Sequence, residues 1–110
     1  MKTQSLQPNL IGVDLIEMKK IKAFYRLHRD RLSSFLKPYE MNLVRRSLSP
    51  ERTLAEILAA TESLYKAGSR GKRRSGFENI RLTPALLKEK ILFIKNKRFV
   101  VALVKPCAGK

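Results

Sequence analysis

Apolar residues follow two different patterns along the chain. Leu10-Ile11-Gly12-Val13-Asp14-Leu15-Ile16 is a continuous apolar run broken only by Asp14, which predicts a strand buried on both faces. Over residues 18–36 the period becomes helical, with Ile21, Phe24, Tyr25, His28, Leu32 and Phe35 on the inward side. Lys37-Pro38-Tyr39 interrupts that pattern, and residues 40–47 predict a short second helix. A longer helix follows. Ser49 can cap it, Pro50 suits its first position, and Glu51 suits the positive end of the helix dipole. Leu54, Ile57, Leu58, Leu64 and Tyr65 form its apolar stripe, and Gly68 ends it.

The last third predicts a strand over 77–82, a short helix over 85–90 capped by Thr83-Pro84, and a hairpin. Ile91-Leu92-Phe93-Ile94 and Phe99-Val100-Val101-Ala102-Leu103-Val104 flank Lys95-Asn96-Lys97-Arg98, and both runs read as buried strands. The architecture is α+β, with an antiparallel sheet packed against helices. Residues 1–9 read as an N-terminal tail, 10–105 as one domain and 106–110 as a C-terminal tail.

Composition narrows the class. At 110 residues, 44% hydrophobic and 30% charged, the chain suits a single small soluble domain. No apolar run reaches membrane-spanning length and the polar start lacks a signal-peptide core, so the expected location is cytoplasmic. The lone Cys107 excludes an internal disulfide and any multi-cysteine metal site. Charge says most. Lys and Arg number 24 against 9 acids, a net +15, which implies an anionic partner: nucleic acid, an anionic membrane, a phosphorylated small molecule or an acidic protein.

Four features carry candidate chemistry. Asp14 sits in an apolar strand, where an ionised carboxylate must be paired, hydrogen-bonded or metal-bound. Its spacing to Glu17 also suits a helix cap, and both readings stand. Glu62 and Lys66, one turn apart, lie at the border of the long helix's stripe beside Ala55 and Ala59. By spacing alone they are an i,i+4 ion pair worth about 0.2–0.5 kcal/mol. Lys19, Lys22, Arg26 and Arg29 form a stripe of one sign on the outer side of the first helix, which self-repels and suits an acidic partner surface. Finally, Gly68-Ser69-Arg70-Gly71-Lys72-Arg73-Arg74-Ser75-Gly76 combines glycines with four cations and no acid. It reads as a phosphate-binding loop, a flexible basic loop or a nucleic-acid patch.

The order of these parts resembles holo-[acyl-carrier-protein] synthase, the small single-domain branch of the 4′-phosphopantetheinyl transferases. Gly12-Val13-Asp14-Leu15-Ile16-Glu17 is similar to that family's first motif, and residues 58–67, containing Ala60-Thr61-Glu62-Ser63-Leu64-Tyr65-Lys66-Ala67, to its second. A cationic helix and Phe35-Leu36-Lys37-Pro38-Tyr39-Glu40 lie between them, and the resemblance covers roughly 10–82 and, more loosely, the final hairpin. Thr61 stands where the family has Lys, and Ser63 where it has Ala. The Gly-Lys-Pro segment usual before the last hairpin is missing.

The resemblance implies a magnesium-dependent transferase that moves 4′-phosphopantetheine from coenzyme A to a serine of apo acyl carrier protein, for fatty acid biosynthesis. It makes Asp14 and Glu62 the Mg²⁺ ligands, the latter also able to assist deprotonation of the serine. Lys66 neutralises phosphate charge or helps protonate the leaving group. Coenzyme A phosphates fall to Lys66, Gly68, Ser69, Arg70, Gly71, Lys72 and Arg73, while Lys19, Lys22, Arg26 and Arg29 dock the acidic carrier. A homotrimer with sites between subunits is also implied. Two other readings compete: a relative that only docks carrier protein, and a small basic nucleic-acid-binding protein. Five Phe, three Tyr and no Trp, with none in the basic loop, weigh against the last, so nucleic acid is not the expected partner.

Overall fold

In the computed structural model, which describes residues 12–68 and 82–105, a three-stranded sheet lies against one long helix. Strand β1 (Val13–Glu17) leads directly into helix α1 (Met18–His28), followed by a 3-10 segment (Arg29–Ser34) and helix α2 (Pro38–Arg45). Helix α3 (Pro50–Gly68), helix α4 (Pro84–Glu89) and strands β2 (Ile91–Lys95) and β3 (Phe99–Val104) complete the order. β3 is central and antiparallel to both neighbours, pairing Asp14 with Ala102 on one side and Phe93 with Ala102 on the other. The predicted α+β class, the long helix and the hairpin are all present.

The core explains why the sheet sits where it does. Leu54 and Ile57 of α3 are buried, but so are Ala55, Ala59, Ala60 and Ser63. These small residues let α3 approach the sheet closely, and Val100 and Ala102 of β3 fill the contact. The closest approach is at Gly12. A Cβ there would meet the Ser63 carbonyl oxygen at 1.7 Å. Gly12 is therefore needed for space, and it brings the start of β1 against the last turns of α3. The Gly12 oxygen also accepts from Val104 N–H at 2.9 Å, extending the β1–β3 ladder.

Three sequence expectations are corrected. The helix over 18–36 ends at His28, and the 3-10 segment after it has a non-helical residue, Arg31 (φ −125°, ψ 22°). Leu32 still reaches the core, whereas Phe35 is half exposed and stacks edge-on against Phe24 at 5.5 Å. Secondly, the strands are not buried on both faces. Register places Val13, Leu15, Leu92, Ile94, Val101 and Leu103 on the side away from α3, with Val13, Leu15, Leu92 and Ile94 exposed by 44–54%. Thirdly, Asp14 caps no helix: it lies inside β1, and the α1 N-cap is Glu17, without a side-chain cap bond.

Helix starts follow the expected chemistry with one change. Thr83 caps α4, its hydroxyl accepting from Leu86 N–H at 3.1 Å. At the entrance to α3 the side-chain bonds come from Ser47, which accepts from Ser49 N–H at 2.9 Å and meets the Thr53 hydroxyl at 2.7 Å. Ser49 contributes its carbonyl, accepting from Thr53 N–H at 3.0 Å. The tails, the Leu10-Ile11 start of the first predicted strand, residues 77–81 and Cys107 lie outside the described residues.

Candidate functional site

Asp14 owes its position to the pleat. Alternate residues of β1 face α3, and the Gly12–Ser63 contact holds that strand beside the helix turn carrying Glu62 and Lys66. The consequence is an ion pair between distant segments. Lys66 Nζ lies 3.1 Å from Asp14 Oδ1 and 3.4 Å from the Val13 carbonyl oxygen. Asp14 is the more enclosed partner, its side chain 15% exposed against 51% for Lys66. Among the described residues the carboxylate within 4 Å of Lys66 is Asp14 and not Glu62, so the i,i+4 pair expected from spacing does not form.

These three side chains line one cavity of about 820 Å³. Asp14, Glu62 and Lys66 make its charged end, and Thr61 adds a hydroxyl that donates to the Ile57 carbonyl at 2.9 Å. Ile16, Leu36, Ile57 and Leu58 make an apolar wall. Glu40, which sequence reasoning left without a role, also lines the cavity. It is buried and accepts from Lys37 N–H at 2.9 Å, which fixes the start of α2. The signal was available: Pro38 at a helix start with Glu two residues later is a capping pattern.

Of the three carboxylates lining the cavity, Glu40 serves the start of α2, and Asp14 with Glu62 makes a partial ligand set. No cluster of three or more metal-ligating side chains occurs among the described residues. Magnesium nevertheless suits such an arrangement, because it commonly takes one or two carboxylates and completes its shell with substrate phosphates and water. The Lys66 ammonium already neutralises Asp14, so a cation bound there would have to displace it from the carboxylate.

The other expected site residues are distributed as follows. Lys19, Lys22 and Arg26 are exposed on α1, whereas Arg29 falls beyond its end, in the 3-10 segment. Lys20 pairs weakly with Glu17 at 3.9 Å. Gly68 is the last residue of α3, and Ser69, Arg70, Gly71, Lys72 and Arg73 lie outside the described residues.

No protein-family model matches the chain, and no curated protein matches it significantly. A solved structure does. The crystal structure of holo-[acyl-carrier-protein] synthase from Neisseria meningitidis superposes with a TM-score of 0.62 at 26% identity, over 87% of this chain and 95% of that one. The chain has a holo-[acyl-carrier-protein] synthase-like fold. At 87% of this chain, the likeness extends beyond the two motifs. No helix among the described residues is long and apolar enough to cross a membrane.

Proposed function

We propose that the protein is a 4′-phosphopantetheinyl transferase acting on an acyl carrier protein of fatty acid synthesis. The observation that carries this reading is the meeting of Asp14, Glu62 and Lys66 in one cavity, on a fold like that of holo-[acyl-carrier-protein] synthase. In the reaction a carrier serine oxygen bonds to the phosphorus nearest the pantetheine arm as the bond to 3′,5′-ADP breaks. The serine proton leaves to a cavity carboxylate, Glu62, and the departing phosphate keeps the bonding electron pair beside Lys66. Asp14 and Glu62 would hold Mg²⁺, which neutralises charge on the pyrophosphate when bound. The protein's own part is positioning and electrostatic stabilisation, the main demands of phosphoryl transfer.

The partners follow from the charge and the apolar sheet face. Lys19, Lys22, Arg26 and Arg29 would orient an acidic carrier, raising the association rate more than the affinity. Coenzyme A would take Lys66 and the loop 68–73. The exposed face of Val13, Leu15, Leu92 and Ile94 supports self-association, and a homotrimer would cover it.

Mass analysis of the carrier tests the reading. Apo carrier protein incubated with coenzyme A, Mg²⁺ and this protein should gain one phosphopantetheine, and chelation of the metal should abolish the gain. Asp14→Ala and Glu62→Ala should each remove it. Carrier binding without any mass gain would overturn the enzyme reading in favour of a docking-only relative.

A further inference from the structure

The cationic surface does not end with α1. Where β1 turns into α1, the Met18 N–H donates to the Arg98 carbonyl at 2.7 Å, which pins the β2–β3 turn against the first turn of the helix. The result is an open groove lined by Lys19 and Lys22 of α1 and by Lys97 and Arg98 of the turn, together with Phe99. Four cations from two elements line it against one acid, Glu17, which lies 3.9 Å from Lys20. None of the four has an ion-pair partner within 4 Å among the described residues.

The turn is held in shape by side-chain bonds to its backbone. Asn96 Oδ1 accepts from Arg98 N–H at 2.7 Å and from Phe99 N–H at 3.0 Å, and the Asn96 carbonyl accepts from Arg52 Nη2 at 3.1 Å. Like charges are thus brought together by main-chain contacts that their side chains do not share. Such an arrangement stores repulsion that an anionic partner relieves, and the fixed turn reduces the ordering cost of binding.

We propose that Lys97 and Arg98 extend the carrier-docking surface, so that an acidic helix of the carrier protein is gripped between α1 and the β2–β3 turn. This rests on the transferase reading above and adds a second element to its docking site. The chemistry favours a protein helix. Lys19, Lys22 and Arg26 repeat at three and four residues, about 4.5–6 Å apart along the axis, the spacing at which a partner helix presents its own acids. The apolar Met18 and Phe99 in the groove lining suit an amphipathic helix more than a phosphate backbone.

The test compares the double variant Lys97→Glu/Arg98→Glu with Lys88→Glu/Lys90→Glu, a charge-matched control at the opposite end of β2. Both pairs are exposed, and the bonds that shape the turn are to the Arg98 backbone. Association of full-length protein with apo acyl carrier protein is measured by stopped flow at about 50 mM and about 500 mM salt, alongside transfer kinetics. The turn variant should associate about five- to tenfold more slowly at low salt, with the gap closing at high salt, while kcat at saturating carrier is unchanged. The control should match the wild type. Equal slowing of both variants overturns the proposal, because net charge alone would then act. Slowing by Arg26→Glu without slowing by the turn variant overturns it while leaving the transferase reading intact. If the wild type neither binds nor modifies the carrier, both fall. Loss of duplex DNA binding in the turn variant, with carrier binding untouched, replaces the protein partner by nucleic acid.

Discussion

Lys66 reaches across from α3 to hold Asp14 of β1, Nζ to Oδ1 at 3.1 Å, and leaves Glu62 of its own helix unpaired by it. This one contact joins two motifs that are separate in sequence, and it separates stability from activity. A half-exposed ion pair is worth no more than about 1 kcal/mol. Lys66→Met should therefore lower the unfolding midpoint only slightly. Phosphopantetheinyl transfer should fall about a hundredfold, the scale expected when one group stabilising charge in the transition state is lost. Thermal unfolding and the carrier mass assay, run on the same preparation, check the pair. A large stability loss with activity intact would make the contact structural.

Gly12 should tolerate no side chain. Its Cβ would overlap the Ser63 carbonyl, a backbone atom that no rotamer change can move aside. Gly12→Ala should cost at least about 3 kcal/mol in urea unfolding. Any folded fraction should transfer poorly, because β1 carries Asp14. Wild-type stability in this variant would refute the close approach of strand and helix.

Thr61 offers a gain-of-function test. Its side chain lines the cavity beside Glu62 and spends its hydrogen bond on the Ile57 carbonyl of its own helix. Thr61→Lys exchanges a back-bonded residue for a better helix former, worth a few tenths of a kcal/mol. It also adds a cation where phosphates are proposed to bind. The KM for coenzyme A should fall about three- to tenfold at unchanged unfolding midpoint. An unchanged or higher KM would remove Thr61 from the phosphate-binding wall.

The outward sheet face predicts assembly. Ile94→Asp places a charge on the outward face that also carries Val13, Leu15 and Leu92. If copies of the chain cover that face, light scattering should show the wild type as an oligomer, expected to be a trimer, and the variant as a monomer. A monomeric wild type would exclude this use of the face.

Much of this was legible in the residues, for local reasons. Pro50 and Gly68 delimit α3 because a ring without an N–H suits one helix end and a residue without Cβ suits the other. The hairpin was legible because Lys95-Asn96-Lys97-Arg98 interrupts two apolar runs. What stayed hidden depends on tertiary context. The apolar pattern runs on past His28, yet Arg31 leaves helical geometry there. Val13 and Leu15 are as apolar as buried residues, and only the register shows that nothing in the described chain covers them. At the cavity, the motif resemblance suggested Asp14 and Glu62 together. The Lys66–Asp14 pair could not be read, because Lys66 has an acid one turn away in sequence and chooses one from another element. The capping role of Glu40 was legible beside Pro38, but its burial at the cavity was not, because that depends on how α2 packs beside α3.

The pairing of β1 with β3 sets the order in which this machinery can come into being. Asp14 belongs to the first described strand, yet its ladder neighbour is Ala102 of the last. During synthesis α1, α2 and α3 can form from local contacts, while β1 waits for a strand made near the end, a closure that is slow because the intervening loop is long. A partly made chain therefore presents its cationic helix while the carboxylate that faces Lys66 is still unplaced. Under the proposed transferase function, carrier capture would precede catalytic competence, and the laying down of β3 would be the event that separates them.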